Sequence, residues 1–255
     1  MATFFCLTLS FGAAAQKPVP NDWSNLKRYR EANEQLPQLG KKEKRVAFMG
    51  NSITDNWFKF HPEFFTENGF IGRGISGQTT PQMLIRFRQD VVNTGAKTVV
   101  ILAGTNDIAG NTGYSSLEMI MDNLKSMCDI ARANKIRPIL CSVLPAYRYS
   151  WKKDVRCDQL IPELNQMIKE YAQANKITYV DFFSTLVDNT PGNENGLPKK
   201  YSKDGVHPNI EGYYIMEEIL MKVLKKNQLP TAGKRICFRL SAIVISRKVL
   251  YCNVL

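Results

Sequence analysis

Five short apolar runs, each followed by a polar turn and most by an amphipathic stretch, constrain this chain more than any other feature. The runs cover residues 45–49, 70–75, 98–102, 138–144 and 178–182. They are bounded by Gly, Asn or Pro, and only 70–75 is weak, because it is Gly-rich. Near-continuous apolar character over so few residues marks a strand buried on both faces. Between the runs the period changes to that of a helix. Residues 81–92 put Met83, Leu84, Phe87 and Val91 on one face, and 115–134 open with Ser-Ser-Leu-Glu, which reads as a capping box. That second stretch is expected to bury Met119, Ile120, Leu124, Met127 and Ile130. Residues 158–174 and 209–224 follow the same logic, the last opened by Pro208. Repetition of this kind predicts a parallel sheet with helices on both faces. Ligands of such sheets bind beyond the carboxyl ends of the strands, so the segments directly after each run are where chemistry is expected.

Composition narrows the alternatives. The 255 residues include 44% hydrophobic side chains, too many for a disordered chain. No apolar run approaches the roughly 18 residues of a membrane-spanning helix. The formal charge of +11 invites a nucleic-acid reading, but five of those charges (Lys234, Arg235, Arg239, Arg247 and Lys248) lie in residues 231–255, which carry no acid. An excess split in this way is a poor basis for a binding face, and no nucleic-acid partner is expected.

The ends read differently from the middle. Residues 1–16 run from an apolar stretch into Ala13-Ala14-Ala15, which resembles the apolar region and small-residue cleavage site of a secretory signal, although no Lys or Arg precedes it. Export is the expectation, with a buried N-terminal strand as the alternative. Residues 17–44 form a lead-in, 45–230 the domain, and 231–255 a basic extension whose role the sequence leaves open. Removal of the signal would leave Cys128, Cys141, Cys157, Cys237 and Cys252, an odd and scattered set without a C-x-x-C. No obligatory disulfide is expected, and Cys128 and Cys141 read as core packing.

The segments after the runs are Gly50-Asn51-Ser52-Ile53-Thr54-Asp55, the loop 72–80, Ala103-Gly104-Thr105-Asn106-Asp107, Pro145-Ala146-Tyr147-Arg148 and, before the last helix, Asp204-Gly205-Val206-His207-Pro208. Singly each is weak. A Ser after a strand is usually a helix N-cap, and a Gly-rich loop without a Walker Lys is usually a turn. The chain has two histidines, His61 and His207, so a zinc site would rest largely on carboxylates. No metal and no cofactor are expected.

Together the segments supply what acyl transfer needs: a nucleophile, a base, a group to orient the base, and donors for an oxyanion. Ser52 closes a strand and opens a helix. His207 is the one histidine expected on the rim and is the candidate base. Asp204, three residues earlier, can reach its Nδ1. Gly77 offers an unobstructed N–H and Asn106 an amide, so that with the Ser52 N–H they form a three-donor oxyanion hole.

These blocks resemble the SGNH hydrolases, also called the GDSL esterase/lipase family. The four name-giving positions match in order as Ser52, Gly77, Asn106 and His207, and the resemblance covers roughly residues 45–226. It implies a three-layer α/β/α sandwich on a flavodoxin-like five-stranded parallel sheet, and metal-free ester hydrolysis through an acyl-serine. It also implies that Ser52, Asp204 and His207 form the triad. One departure is Asn51, where the family usually has Asp, so hydrogen bonding at the nucleophile turn is expected to differ.

The blocks look most like the branch holding platelet-activating-factor-acetylhydrolase-like proteins and carbohydrate acetylesterases. That favours short acyl groups, with O-acetyl groups on polysaccharide as the expected substrate outside the cytoplasm. Trp57, Phe58, Tyr147, Tyr149 and Trp151 could stack on sugar rings, or Trp57 and Phe58 could pack the first helix. Arg73 and Arg148, with Tyr147, are the candidate substrate contacts. The competing readings are a lysophospholipase or thioesterase for longer chains, and a non-catalytic sugar-binding relic of the fold.

Overall fold

In a computed structural model the described residues are 21–40 and 44–226. The expectations for residues 1–16 and 231–255, and for Cys237 and Cys252, lie outside them. Five strands carry the architecture: β1 (Val46–Gly50), β2 (Phe70–Gly74), β3 (Thr98–Leu102), β4 (Arg137–Cys141) and β5 (Thr178–Val180). All pair in parallel in the order β2-β1-β3-β4-β5. The helices are α1 (Arg30–Glu34), α2 (Ser52–Phe60), α3 (Pro62–Thr66), α4 (Thr80–Phe87), α5 (Thr105–Ile108), α6 (Leu117–Ala133), α7 (Cys157–Ala174), α8 (Phe183–Leu186) and α9 (Ile210–Lys226). The chain leaves β1 for β2 on one side and crosses back to β3 on the other. The open end of β1 is therefore the switch point at which such sheets form a crevice.

The strands separate their side chains with a period of two. Ala47, Met49, Val99 and Ile101 enter one core with Met83 and Phe87 of α4, Leu124 and Met127 of α6, and Leu164 of α7. Val46, Phe48, Val100 and Leu102 enter the other with Trp57 of α2, Phe65 of α3, and Tyr213, Met216 and Leu220 of α9. Both sheet faces are thus covered, giving three layers. The second core is aromatic: the Phe48 ring meets Trp57 edge-on at 5.5 Å and Phe65 at 5.0 Å, while Trp57 stacks on Tyr213 at 5.6 Å.

Local chemistry sets the boundaries. β4 stops at Cys141, where 138–144 was expected, because the Asn165 side chain replaces a neighbouring strand: its Oδ1 accepts from Val143 N at 2.7 Å and its Nδ2 donates to Val143 O at 2.9 Å. β5 stops at Val180 because Asp181 turns out to accept from Ser184 N at 2.9 Å. α6 begins one residue later than the Ser-Ser-Leu-Glu reading implies. Ser116, not Ser115, is the cap, accepting from Met119 N at 3.3 Å, so no Ser115–Glu118 box forms. The buried stripe is Ile120, Met121, Leu124, Met127, Cys128 and Ala131, and Met119 is exposed. The stretch 81–92 splits into α4 and a π turn over Arg88–Val92. Cys128, Cys141 and Cys157 are buried free thiols, and burial pushes the Cys128 thiol up to about 12.

Candidate active site

The turn that carries Ser52 is built for close approach. α2 starts directly off β1, and Asn51 caps it: the Asn51 side chain accepts from Ile53 N at 3.0 Å. Asn and Asp are equally good caps, so the departure at this position keeps the cap and changes its charge. The cap belongs to Asn51 rather than to Ser52, whose hydroxyl is free to point elsewhere. A Cβ on Gly74 would lie 2.2 Å from Asp55 N, so only glycine lets the end of β2 pass this turn.

Ser52 Oγ lies 2.8 Å from His207 Nε2, and His207 Nδ1 lies 2.7 Å from Asp204 Oδ2. The three groups come from two places, the head of α2 and the loop before α9. That loop is organised by Asp204, whose Oδ1 accepts from Val206 N at 2.9 Å and from His207 N at 2.8 Å. Ser202 adds a bond to His207 O at 2.7 Å. Partial burial raises the Asp204 pKa, but the His207 N–H, the imidazole and the Val206 N–H outweigh it and hold the carboxyl at about 2. Asp204 is therefore ionised wherever the imidazole can be neutral. A neutral His207 with its proton on Nδ1 satisfies both neighbours, leaving Nε2 to accept from Ser52.

Gly77 lies on the loop after β2 and Asn106 in α5, directly after β3; β2 and β3 are the two strands that flank β1. Gly77 has φ +80°, a conformation that costs any other residue about 1–2 kcal/mol. Asn106 is 3% exposed, and one N–H of its amide goes to Gln78 O at 2.9 Å, while the second N–H has no partner among the described residues. Its neighbour Asp107 ties α5 to the start of α4, accepting from Thr80 N at 2.9 Å and from the Thr80 hydroxyl at 2.6 Å. Burial pushes the Asp107 carboxyl up to about 6 against the pull of those bonds.

The expected substrate contacts fare unevenly. Arg73 is not an open rim cation. It is buried, donating to Asn33 Oδ1 at 2.9 Å and Gly72 O at 2.8 Å, with its guanidinium 4.9 Å from the Tyr29 ring. The lead-in covers it, a role that 17–44 gave no hint of in sequence. Trp57 and Tyr149 are also unavailable for stacking on sugars, at 1% and 0% exposed. Trp57 Nε1 donates to Glu217 Oε1 at 2.9 Å, and Tyr149 pairs its hydroxyl with Thr105 Oγ1 at 2.8 Å. Phe58 is partly exposed but packs edge-on against Phe65 at 5.3 Å. Tyr147, Arg148 and Trp151 do reach the surface, with Arg148 over the Tyr147 ring at 5.0 Å. His61 sits apart from Ser52, 2.8 Å from Glu217 Oε1.

Two clefts border these residues. One of about 450 Å³ is lined by Asn56, Phe60, Lys203, Asp204, His207 and Pro208. A larger one of about 700 Å³ includes Asp107, Gly110 and Tyr114 but neither Ser52 nor His207.

Comparison with known proteins places the chain in a family. The model of the GDSL-like lipase/acylhydrolase family matches residues 48–215. The chain belongs to this family. Among solved structures, a GDSL-like lipase from Bacteroides thetaiotaomicron is 48% identical with a TM-score of 0.77, covering 80% of this chain and 99% of that one. An acetyl xylan esterase, AlAXEase, shares the fold at 19% identity and a TM-score of 0.56, covering 71% of this chain and 99% of its own. In sequence, an acetylxylan esterase of Xylanibacter ruminicola is 24% identical over 219 residues, 71% of this chain and 43% of that protein. The chain spans less than half the length of the curated relatives it matches. Among its described residues no helix is long and apolar enough to cross a membrane.

Proposed function

We propose that this acylhydrolase is a serine esterase that removes short acyl groups, O-acetyl groups on carbohydrate first among them, through an acyl-serine intermediate. The observation that carries the reading is the unbroken chain from Ser52 Oγ through the His207 imidazole to Asp204, at 2.8 and 2.7 Å. The acyl preference is supported by the acetylxylan esterase of Xylanibacter ruminicola among the similar proteins.

In the mechanism Ser52 Oγ attacks the ester carbonyl carbon while His207 Nε2 takes its proton. The Asp204 carboxylate holds Nδ1–H and stabilises the imidazolium. The carbonyl oxygen becomes an oxyanion received by the Ser52 and Gly77 N–H groups and the free N–H of Asn106. Collapse breaks the bond to the alcohol, which leaves with the proton from His207. Water then repeats the sequence on the acyl-serine, its proton passing to Nε2, and releases the acid and free Ser52.

The test uses p-nitrophenyl esters from C2 to C12 and acetylated xylan with acetate release as the readout, beside Ser52→Ala. The expected result is highest activity at C2, acetate from xylan, and a loss of at least about 10⁴-fold in kcat in the variant. Activity rising steeply with chain length would replace the acetyl reading with a long-chain one. Turnover surviving in a folded Ser52→Ala protein would remove the serine mechanism.

A further inference from the structure

Gln78, one residue after the proposed oxyanion donor Gly77, is 3% exposed and uses its polar groups on three different parts of the fold. Its side-chain Oε1 accepts from Arg86 Nε at 2.6 Å, its Nε2 donates to Ser24 O at 2.8 Å, and its backbone carbonyl accepts from Asn106 Nδ2 at 2.9 Å. Each of those partners is itself anchored. Arg86, fully buried on α4, pairs with Asp90 at 3.0 Å and donates to Gly50 O at 2.9 Å, two residues before Ser52. The Ser24 carbonyl belongs to the lead-in, which is held by two further glutamines: Gln82 Nε2 donates to Trp23 O at 2.7 Å and Gln89 Nε2 to Leu26 O at 2.6 Å. Tyr29 of the same segment donates to Gly74 O at the end of β2, and Asn33 donates to Asp90 Oδ1 at 2.9 Å.

The consequence lies in the direction of an N–H bond. The Asn106 amide is planar, so fixing one of its two N–H bonds on Gln78 O fixes where the other points. The Gln78 carbonyl can serve as that reference only if the peptide it shares with Thr79 does not rotate; the Thr79 N–H of that peptide donates to Gln82 Oε1 at 3.1 Å, and the Gln78 end needs a hold of its own. What resists is the Gln78 side chain, held at both ends in a site where breaking either bond leaves a buried polar group unpaired.

We propose that Gln78 is a positioning residue for the oxyanion hole, clamped between the buried Arg86 and the lead-in so that it orients Asn106. The proposal rests on the reading of Asn106 as an oxyanion donor.

The experiment is a double-mutant cycle on kcat with Gln78→Met and Asn106→Ala, using p-nitrophenyl acetate, with phenylboronic acid inhibition as a second readout. Gln78→Met is expected to lower kcat by about 10–100-fold with KM within about twofold, since a displaced donor forfeits much of what a missing one does. The Ki of phenylboronic acid, whose serine adduct places an oxygen in the hole, should rise by a similar factor. In the Asn106→Ala background the same substitution should cost less than about threefold, because the donor it orients is gone. A folded Gln78→Met protein with wild-type kcat overturns the proposal, and so does an equal loss in both backgrounds, which marks Gln78 as support for the fold alone. If Asn106→Ala itself leaves kcat unchanged, the oxyanion reading falls and takes this one with it. Gln78→Glu guards against misfolding: it keeps an oxygen for Arg86, lacks the donor to Ser24, and is expected to show the same fall in kcat at unchanged KM.

Discussion

The two halves of the candidate site are made in opposite ways. The proton-transfer half, His207 and Asp204, is two side chains three residues apart on one loop, 27% and 48% exposed, and organised by bonds within that loop. The oxyanion half draws Gly77 and Gln78 from the loop after β2 and Asn106 and Asp107 from α5 after β3. It is buried apart from Gly77 and is held by partners 8 to 54 residues away in sequence. The difference follows from the work each half is proposed to do. A base must meet substrate and water, and a short loop can hold it while open to both. Donors that stabilise charge act best when they do not reorganise, which calls for rigidity and exclusion of water.

The largest break in this comparison should come on the exposed side. Asp204→Asn keeps the shape and loses the charge that orients the imidazole, and kcat should fall by about 10⁴-fold with the fold intact. A loss of less than tenfold on p-nitrophenyl acetate would show that the loop alone orients His207. Since the Asp204 carboxyl is held at about 2, the acid limb of the wild-type pH–rate profile should owe nothing to it above about pH 3. On the buried side Asn106→Ala should cost about 10²–10³ in kcat with little change in KM.

Asp107 sharpens the contrast through stability rather than rate. Its carboxyl is raised to about 6 in the fold from an ordinary value of 3.8, so its ionised form is the disfavoured one. Its contribution is therefore most favourable below about pH 4 and is lost as pH rises toward 6, by up to about 3 kcal/mol. Urea unfolding of wild type and Asp107→Asn from pH 4 to 8 should show their stability difference shift in that sense, and a pH-independent difference would contradict it. The smallest effect is expected at the rim. Arg148→Ala should raise KM for acetylated xylan by no more than about threefold and leave p-nitrophenyl acetate kinetics unchanged, as befits an exposed cation over Tyr147.

The same contrast explains what was legible in the sequence. The five strands were readable because runs buried on both faces need no partner to declare themselves, and Asp204 with His207 because their contact spans three residues. Strand ends were misjudged where a distant side chain intervened, as Asn165 does at Val143. The work of Gln78, Arg86 and the lead-in carbonyls was invisible for the same reason, since nothing local in 22–34 signals contact with the loop after β2. Arg73 erred in the other direction: an arginine beside a rim motif reads as a substrate contact until the segment lying over it is seen.

Asn51 has an electrostatic consequence of its own. The aligned peptides of the nine-residue α2 sum to a macrodipole with about half a positive charge at its head. A carboxylate cap would sit in that field one residue from Ser52 and compensate part of it before any substrate arrived. The neutral amide completes the turn without adding a second carboxylate to Asp55 of the first turn, which Arg28 and Lys59 already pair, and so leaves more of the field than an Asp cap would. That field falls on whichever negative charge next appears at the head of the helix, and in the proposed chemistry that charge belongs to the transition state.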